Sequence, residues 1–486
     1  MPLHVCMLVY NDFRNDARVL KEARTLTEAG HRVTLVAMEG PGLARRERVA
    51  GFEVVRVPRA IALTPWDRLP PLESACRAPA SKPPSTGAKA GGGATAGGEV
   101  KAEVKAELKL AVDGASVRPS LARRAVHRLR GLMAKAKGAG KRTLRRALSP
   151  LRGGARFRAL AHYAGEVLAQ DPPDVVHAHD LNTLWAGDRL AQRFGARLVY
   201  DSHELFVERN SQPPLTRLER HGWARLERRL IVRCDAVITV NVSIAQELSK
   251  RYGVPTPEVV LNAPVHHEPS PGDRTLLREA LGLGAGQRVM VYAGALTFNR
   301  GLEPLIQSLS LLPQWMLVLM GPGKAEFREG LVKVAREAGV ESRLRFYGPV
   351  EPDEVVRWLS GADLGAAPIR NVCLSYYLCL PNKLFEYMLA GLPMIASDLP
   401  EMKRVVLGRG VGRVFDPEDP KAIARAVESV FADGSEVEAM RRRALEAGRE
   451  MNWAAQEQVL RGIYERLDEA RAGESGAKHR AGASAQ

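Results

Sequence analysis

Leu380 to Pro400 reads Leu-Pro-Asn-Lys-Leu-Phe-Glu-Tyr-Met-Leu-Ala-Gly-Leu-Pro-Met-Ile-Ala-Ser-Asp-Leu-Pro. It divides into a loop, a short helix and a buried strand. Asn382 has N-cap chemistry, and Lys383 to Ala390 contain no breaker. Gly391 is placed to close the helix in the left-handed conformation, and Pro393 forbids continuation. Such a helix turns free backbone N–H groups toward whatever lies in front of the loop. Those groups and the helix dipole favour an anion, Lys383 adds a full positive charge, and Glu386, about one turn in, can accept from a vicinal diol. A phosphate beside a sugar diol describes a nucleotide. The plain alternative is that Glu386 only complements the dipole and Lys383 is solvated.

Working outward, the pattern of strand, loop and helix recurs. Val289 to Ala293 is a strand followed by Gly294 and, at a helix entrance, by Arg300 and Gly301. Gly294 permits close backbone approach, and Arg300 can fork two N–H donors onto phosphate oxygens. Trp315 to Met320 with Gly321-Pro322-Gly323 repeats the design, and Leu344 to Tyr347 and Leu364 to Ala367 add two strands. Upstream, Val5 to Tyr10, a helix carrying Val19, Leu20, Ala23, Leu26 and Ala29, and Val33 to Met38 form a strand, a helix and a parallel strand. Further strands are read at Val54 to Val57, Asp174 to Asp180, Leu198 onward, Ala236 to Val240 and Val259 to Leu261. Two doubly wound α/β domains follow, joined by the Pro/Gly-rich stretch from Asn262 to Gly272.

Pro381 to Pro393 resembles the donor-nucleotide motif of the retaining group 1 glycosyltransferases with the GT-B fold, family GT4. The resemblance covers nearly all of the chain except Ala75 to Arg158 and the tail. It implies that Glu386 holds the ribose hydroxyls of a nucleotide-sugar, and it matches the family's glycine, basic residue, glycine pattern at Gly294, Arg300 and Gly301. Two departures stand out: many members have a second Glu eight residues before the first, where this chain has Leu378, and a basic residue after the first Gly, where it has Ala295. His-Ala-His-Asp at 177–180 and Asp-Ser-His-Glu at 201–204 also resemble the family. The resemblance implies His179 near the transferred sugar, His203 and Glu204 near the acceptor, and the base packed by backbone near Arg345 to Gly348. Asp16 and Arg18, in the loop after the first strand, are acceptor candidates from their place at the carboxyl edge of the sheet, with helix capping as the equal alternative.

The chain has 486 residues, 45% of them hydrophobic, and a formal charge of +16. Between Arg118 and Arg158 lie fourteen Lys or Arg and no acidic residue, so one segment carries most of that excess. Ala75 to Gly98 is rich in Ala, Gly, Pro and Ser and reads as disordered. Within the basic segment, Leu121, Ala125, Leu129 and Leu132 share a helical face while arginines crowd the others, a pattern that suits an anionic membrane surface. A solvated arm is the alternative. Nucleic acid is disfavoured because base-stacking aromatics are missing. Five scattered cysteines form no Cys-x2-Cys pair and suit a reducing cytoplasm. No leader peptide is read at the amino terminus, and no run approaches the ~18 apolar residues of a membrane span.

The expected organisation is an acceptor-binding domain over 1–265 with a basic insertion at about 75–150, and a nucleotide-sugar-binding domain over 272–452. A helix at 453–471 crosses back to the first domain, and a disordered tail covers 472–486. Catalytic candidates are Arg300, Lys383 and His179. Donor-binding candidates are Gly294, Arg300, Gly301, Gly321, Gly323, Asn382, Lys383 and Glu386; acceptor candidates are Asp16, Arg18, His203 and Glu204. No metal or other cofactor is expected. The resemblance implies sugar transfer with retained anomeric configuration and no dedicated base; the acceptor is read as a cell-surface or lipid-linked glycan at the cytoplasmic membrane face. A GT-B nucleotide-sugar epimerase and a non-catalytic membrane- or polyanion-binding scaffold remain as alternatives.

Overall fold

The structure, a computed structural model, describes residues 2–59, 149–284 and 286–483. Two sheets carry the chain. The first contains β1 (His4–Leu8), β2 (Arg32–Met38), β3 (Arg46–Val49), β4 (Phe52–Val57), β5 (Val175–His179), β6 (Arg197–Ser202), β7 (Ala236–Thr239) and β8 (Glu258–Val259) in the order β3-β4-β2-β1-β5-β6-β7-β8. All neighbours are parallel except β3 and β4. The second contains β9 (Arg288–Ala293), β10 (Trp315–Met320), β11 (Leu344–Tyr347), β12 (Leu364–Ala367), β13 (Met394–Ser397) and β14 (Gly412–Phe415), all parallel, in the order β11-β10-β9-β12-β13-β14. Parallel strands need helical crossovers that cover both faces, which is why β1, β10 and β13 are buried along their whole length and largely apolar. In each sheet the strand order reverses once, between β1 and β5 and between β9 and β12, and a doubly wound sheet binds its ligand at that switch.

Six helices position the site: α1 (Ala17–Glu28), α2 (Ser149–Val167), α3 (Leu181–Phe194), α4 (Arg217–Ile231), α5 (Asn382–Leu389) and α6 (Trp453–Ala483). Helix α1 follows β1 and is capped by Asp16, whose carboxylate accepts from the Val19 N–H. Helix α6 returns to the first sheet, where Trp453, Leu460, Ile463 and Tyr464 pack with Val5, Met7, Val19 and Leu26.

Three expectations change. The polar hairpin strand β3 went unread because Arg-Glu-Arg-Val is an exposed edge with no apolar pattern. The last helix does not stop at 471 followed by a disordered tail; it runs to Ala483, continuing from the packed turns before it through a segment whose three glycines and lack of an apolar stripe gave no helical signal. The basic segment read as extending to Arg158 overlaps α2, whose Ala159, Leu160, Tyr163 and Ala164 are buried in the first domain's core. Ala75 to Gly98 and the amphipathic pattern from Leu121 to Leu132 lie outside the described residues. Among those described, no helix is long and apolar enough to cross a membrane.

Candidate active site

On the second domain, three loops meet at the switch point. Gly294 and Gly321 adopt φ of +127° and +144°, and a Cβ on Gly321 would lie 2.2 Å from the Gly294 carbonyl oxygen. Gly323 would drive a Cβ to 2.7 Å from that of Leu296, and Gly301, at φ +67°, would drive one to 1.8 Å from the Pro368 oxygen. These glycines therefore let the loops after β9, β10 and β12 touch backbone to backbone, tied by Gly294 N–H to Met320 O at 2.9 Å and Leu296 N–H to Pro322 O at 2.7 Å.

Helix α5 is pinned behind them. The Tyr387 hydroxyl donates to Ala366 O at 2.9 Å and accepts from the Ala293 N–H at 3.2 Å, its ring filling the space left by Gly365. Asn382 does not cap α5: Pro381 is the cap residue, without a side-chain bond, and Asn382 is the first, exposed helical residue. Pro381 is extended, at φ −77° and ψ 145°, and marks the entrance to the helix by its backbone alone. Gly391 closes the far end at φ +66°.

Lys383 is buried, not solvated, with Nζ 4.2 Å from the centre of the Tyr292 ring. Burial and the neighbouring Arg300 push its pKa down to about 7, against the pull of Glu386. Arg300 lies over Tyr376, 5.0 Å from its ring centre, and its Nε has no hydrogen-bond partner among the described residues. Glu386 is half-buried and raised in pKa by burial, with Lys383 and Lys21 opposing. Lys21 was not read from the sequence. It comes from α1 of the first domain, donates to Asn262 Oδ1 at 3.2 Å and to Ala263 O, and lies over Trp453. Burial lowers its pKa to about 8. Only its place on the first turns of a helix at the sheet's carboxyl edge hinted at it.

Leu378 also has an explanation. Its side chain packs against the first domain's core and its carbonyl accepts from Asn241 Nδ2 at 2.9 Å. The position thus serves the contact between domains.

On the first domain, a buried charge network lies under the switch. Asp201, at the end of β6, pairs with Arg18 through two bonds, Nε–Oδ2 at 2.9 Å and Nη2–Oδ1 at 3.0 Å, while Arg18 Nη1 donates to Val260 O at 2.8 Å. His203 Nε2 lies 3.0 Å from the same Asp201 Oδ2, and His179 Nδ1 lies 3.2 Å from His203 Nε2. Burial alone would lower the His203 pKa, but Asp180 and Asp201 outweigh it and raise it to about 10. Burial opposes ionisation of Asp201, yet Arg18 and His203 hold it well below the carboxylate range. Burial lowers both His177 and His179, which stack at 4.2 Å. Glu22, buried beside Arg18, is raised to about 8 by desolvation.

This network corrects the reading of Arg18 as an acceptor contact: it is 3% exposed and all three nitrogens are engaged. Asp16 is likewise occupied, capping α1 and accepting from Asn11 Nδ2 at 2.8 Å, although it lines a cavity of about 410 Å3 with Asn11, Asp12, Arg14, Asn15 and Pro41. His203 is clamped between Asp180 and Asp201. Glu204 is raised to about 7 by burial and by Asp180, and lies 3.5 Å from Ser375 Oγ of the second domain. His179 is 2% exposed, with Nε2 lacking a hydrogen-bond partner among the described residues. Glu22, His177, His179 and Asp201 place ligand-type atoms within 4.8 Å of one another. A cation there would compete with the Arg18 guanidinium for Asp201, so the arrangement reads as a self-neutralised network.

Residues 287–433 match the family model described as Glycosyl transferases group 1, and residues 121–266 that of Glycosyltransferase Family 4. The chain belongs to the group 1 glycosyltransferases of family 4. Its relatives include a D-inositol 3-phosphate glycosyltransferase of Xylanimonas cellulosilytica, 27% identical over 303 residues that cover 60% of this chain and 71% of that protein. Among solved structures, sucrose-phosphate synthase from Thermosynechococcus elongatus superposes with a TM-score of 0.66 at 18% identity, covering 96% of this chain and all of that one. Anabaena Alr3699/HepE in complex with UDP and glucose superposes with a TM-score of 0.60 at 15% identity, again over 96% and 100%. The fold is GT-B, and the glycosyltransferase uses a nucleotide-sugar donor.

Proposed function

We propose that this glycosyltransferase moves its sugar to a hydroxyl of a cell-surface or lipid-linked glycan precursor, with retention of anomeric configuration, at the inner face of the cytoplasmic membrane. Breaking the anomeric bond places negative charge on the departing diphosphate. Rate is gained by positive groups fixed where that charge develops. The observation that carries the reading is the convergence of Lys383, Arg300 and the amino end of α5 on the glycine-lined crossing of the β9 and β10 loops. With those cations, charge on the leaving group is met by the protein itself, and the reading asks no metal ion of the site.

Glu386 takes the ribose diol and leaves the chemistry to the phosphates. A half-buried carboxylate raised in pKa grips hydroxyls best when ionised, and Lys383 and Lys21 favour that form. His179 contributes a hydrogen bond on the sugar's side, while Glu204 and His203 face the acceptor. The nucleotide in the HepE complex supports the donor assignment by analogy of fold. Incubating the enzyme with a panel of nucleotide-sugars and membrane-extracted glycolipids, then resolving the product's anomeric signal by NMR, tests it. An axial donor giving an axial product supports retention; inversion, or turnover of donor into a free epimer without acceptor, contradicts it.

A further inference from the structure

Helix α4 has no role in the site, yet its outward face is built in a distinctive way. Leu218 and Val232 are the two most exposed large apolar side chains among the described residues, at 72% and 59%. Their separation of fourteen positions puts them on nearly the same side of the helix axis, about 21 Å apart. Arg225 and Arg229 fall on that stripe between them, with His221 and Arg228 alongside, all exposed. The opposite side, Trp223, Glu227, Leu230 and Ile231, faces the domain core. Arg217, Arg225 and Arg229 form no ion pair among the described residues. Arg220 pairs with Glu208 and Arg233 with Asp188. The only acid on the outer surface of α4, Glu219, is engaged in the capping box with Thr216.

The inner edge of α4 leads to the acceptor side. Trp223 contacts Phe206, just after Glu204, at 4.9 Å between ring centres, and Phe157 of α2 at 5.4 Å; Phe157 in turn meets Tyr10 at 6.2 Å. This aromatic seam follows the carboxyl edge of the first sheet. Helix α2 is also where the chain re-enters the described fold after residues 60–148, and the run of fourteen positive side chains between Arg118 and Arg158 ends within it.

We propose that the Leu218–Val232 face of α4 docks on an anionic lipid bilayer, setting the acceptor edge of the first domain against the membrane surface. The inference rests on the membrane-facing part of the proposed function and names the surface that performs it. Arginines between apolar ends match a bilayer interface, where the cations meet lipid phosphates and Leu218 and Val232 enter the acyl boundary. A nucleic acid would call for aromatic stacking groups on the outer face, and α4 turns its Trp inward.

The test uses the full chain and vesicles of phosphatidylcholine, with or without phosphatidylglycerol. Sedimentation with the anionic vesicles alone is expected, weakened at least about 25-fold by Arg225→Glu with Arg229→Glu, since each arginine near an anionic surface accounts for about fivefold. Leu218→Trp should add fluorescence that brominated phosphatidylglycerol quenches beyond the wild-type level. Nucleotide binding should be the same in the wild type and all these variants; a wild type that binds vesicles but no nucleotide would count against the transfer reading and not against this surface. Vesicle binding that ignores the double substitution and leaves Trp at 218 unquenched overturns the proposal. So does an absence of vesicle binding, or a short RNA that binds the wild type and displaces the vesicles.

Discussion

His203 should make the stability of this enzyme fall as pH rises through the alkaline range. Its imidazole is held by Asp201 at 3.0 Å and Asp180 at 3.6 Å, and its pKa is raised from 6.5 to about 10 although burial works against the charge. A folded-state pKa above the unfolded one means the stabilisation is complete below about 6.5 and disappears as pH climbs through about 10. The shift corresponds to about 5 kcal/mol of preference for the charged ring, an upper figure because the side chain is 20% exposed. His203→Gln removes the titrating group and keeps a donor near Asp201. Urea melts of both proteins at pH 6, 8 and 10 should show the wild type ahead by several kcal/mol at pH 6, with the gap narrowing steadily to pH 10. Comparing the two proteins cancels the titration of lysines and tyrosines elsewhere. A gap that is independent of pH would refute the reasoning, because it would mean that His203 is neutral and the network is not organised around its charge.

Other consequences follow from the same geometry. Arg18→Met strands the buried Asp201 beside Glu22 and should cost about 3–5 kcal/mol, measured as a lower urea midpoint. A nearly unchanged midpoint would show that Arg18 is not the structural cation described. Lys383→Gln should weaken UDP binding about tenfold to a hundredfold at pH 6.5, the strength of hydrogen bonds to a charged group. Because the pKa of Lys383 is about 7 in the empty site, diphosphate binding at pH 8 should take up a proton, visible as a buffer-dependent calorimetric heat that the variant lacks. Gly301→Ala forces a Cβ to 1.8 Å from Pro368 O at a left-handed φ, so the second domain should lose several kcal/mol in the melt. Tyr387→Phe removes the bond to Ala366 O and should cost about 1–2 kcal/mol without changing the product formed.

Much of the fold was legible because each parallel strand is an apolar run with a glycine or a polar loop at its carboxyl end. Val289 to Gly294, Trp315 to Gly323 and the stretch from Leu380 needed little beyond that. The hairpin strand β3 and the last turns of α6 were not legible, since neither has an apolar face to mark it. In the site, Lys383 and Glu386 could be picked out because a helix start, a basic residue and a carboxylate were close in sequence, and Arg300 because it stands between a strand's glycine and a helix entrance. The first domain's network could not be apportioned that way. Arg18 and Asp201 are 183 positions apart, and only the fold shows that they neutralise one another. Lys21 belongs to the same class: it supports Glu386 from the other domain, and separation in sequence hides it. Leu378 looked like a lost donor contact, whereas its side chain packs across the domain boundary.

The central claim is that Glu386, Arg300 and Lys383 form one nucleotide grip, and thermal stabilisation against a panel of nucleoside diphosphates and nucleotide-sugars tests it most directly. A ligand bound only by the folded state raises the melting temperature by mass action, and one at about a hundredfold its dissociation constant adds about 2.7 kcal/mol. The account predicts an upward shift with one nucleotide class in the wild type, with no such shift in Glu386→Ala or Arg300→Ala. The same shift in the wild type and both variants would place the nucleotide elsewhere. No shift with any nucleotide would mean that the grip does not hold a donor.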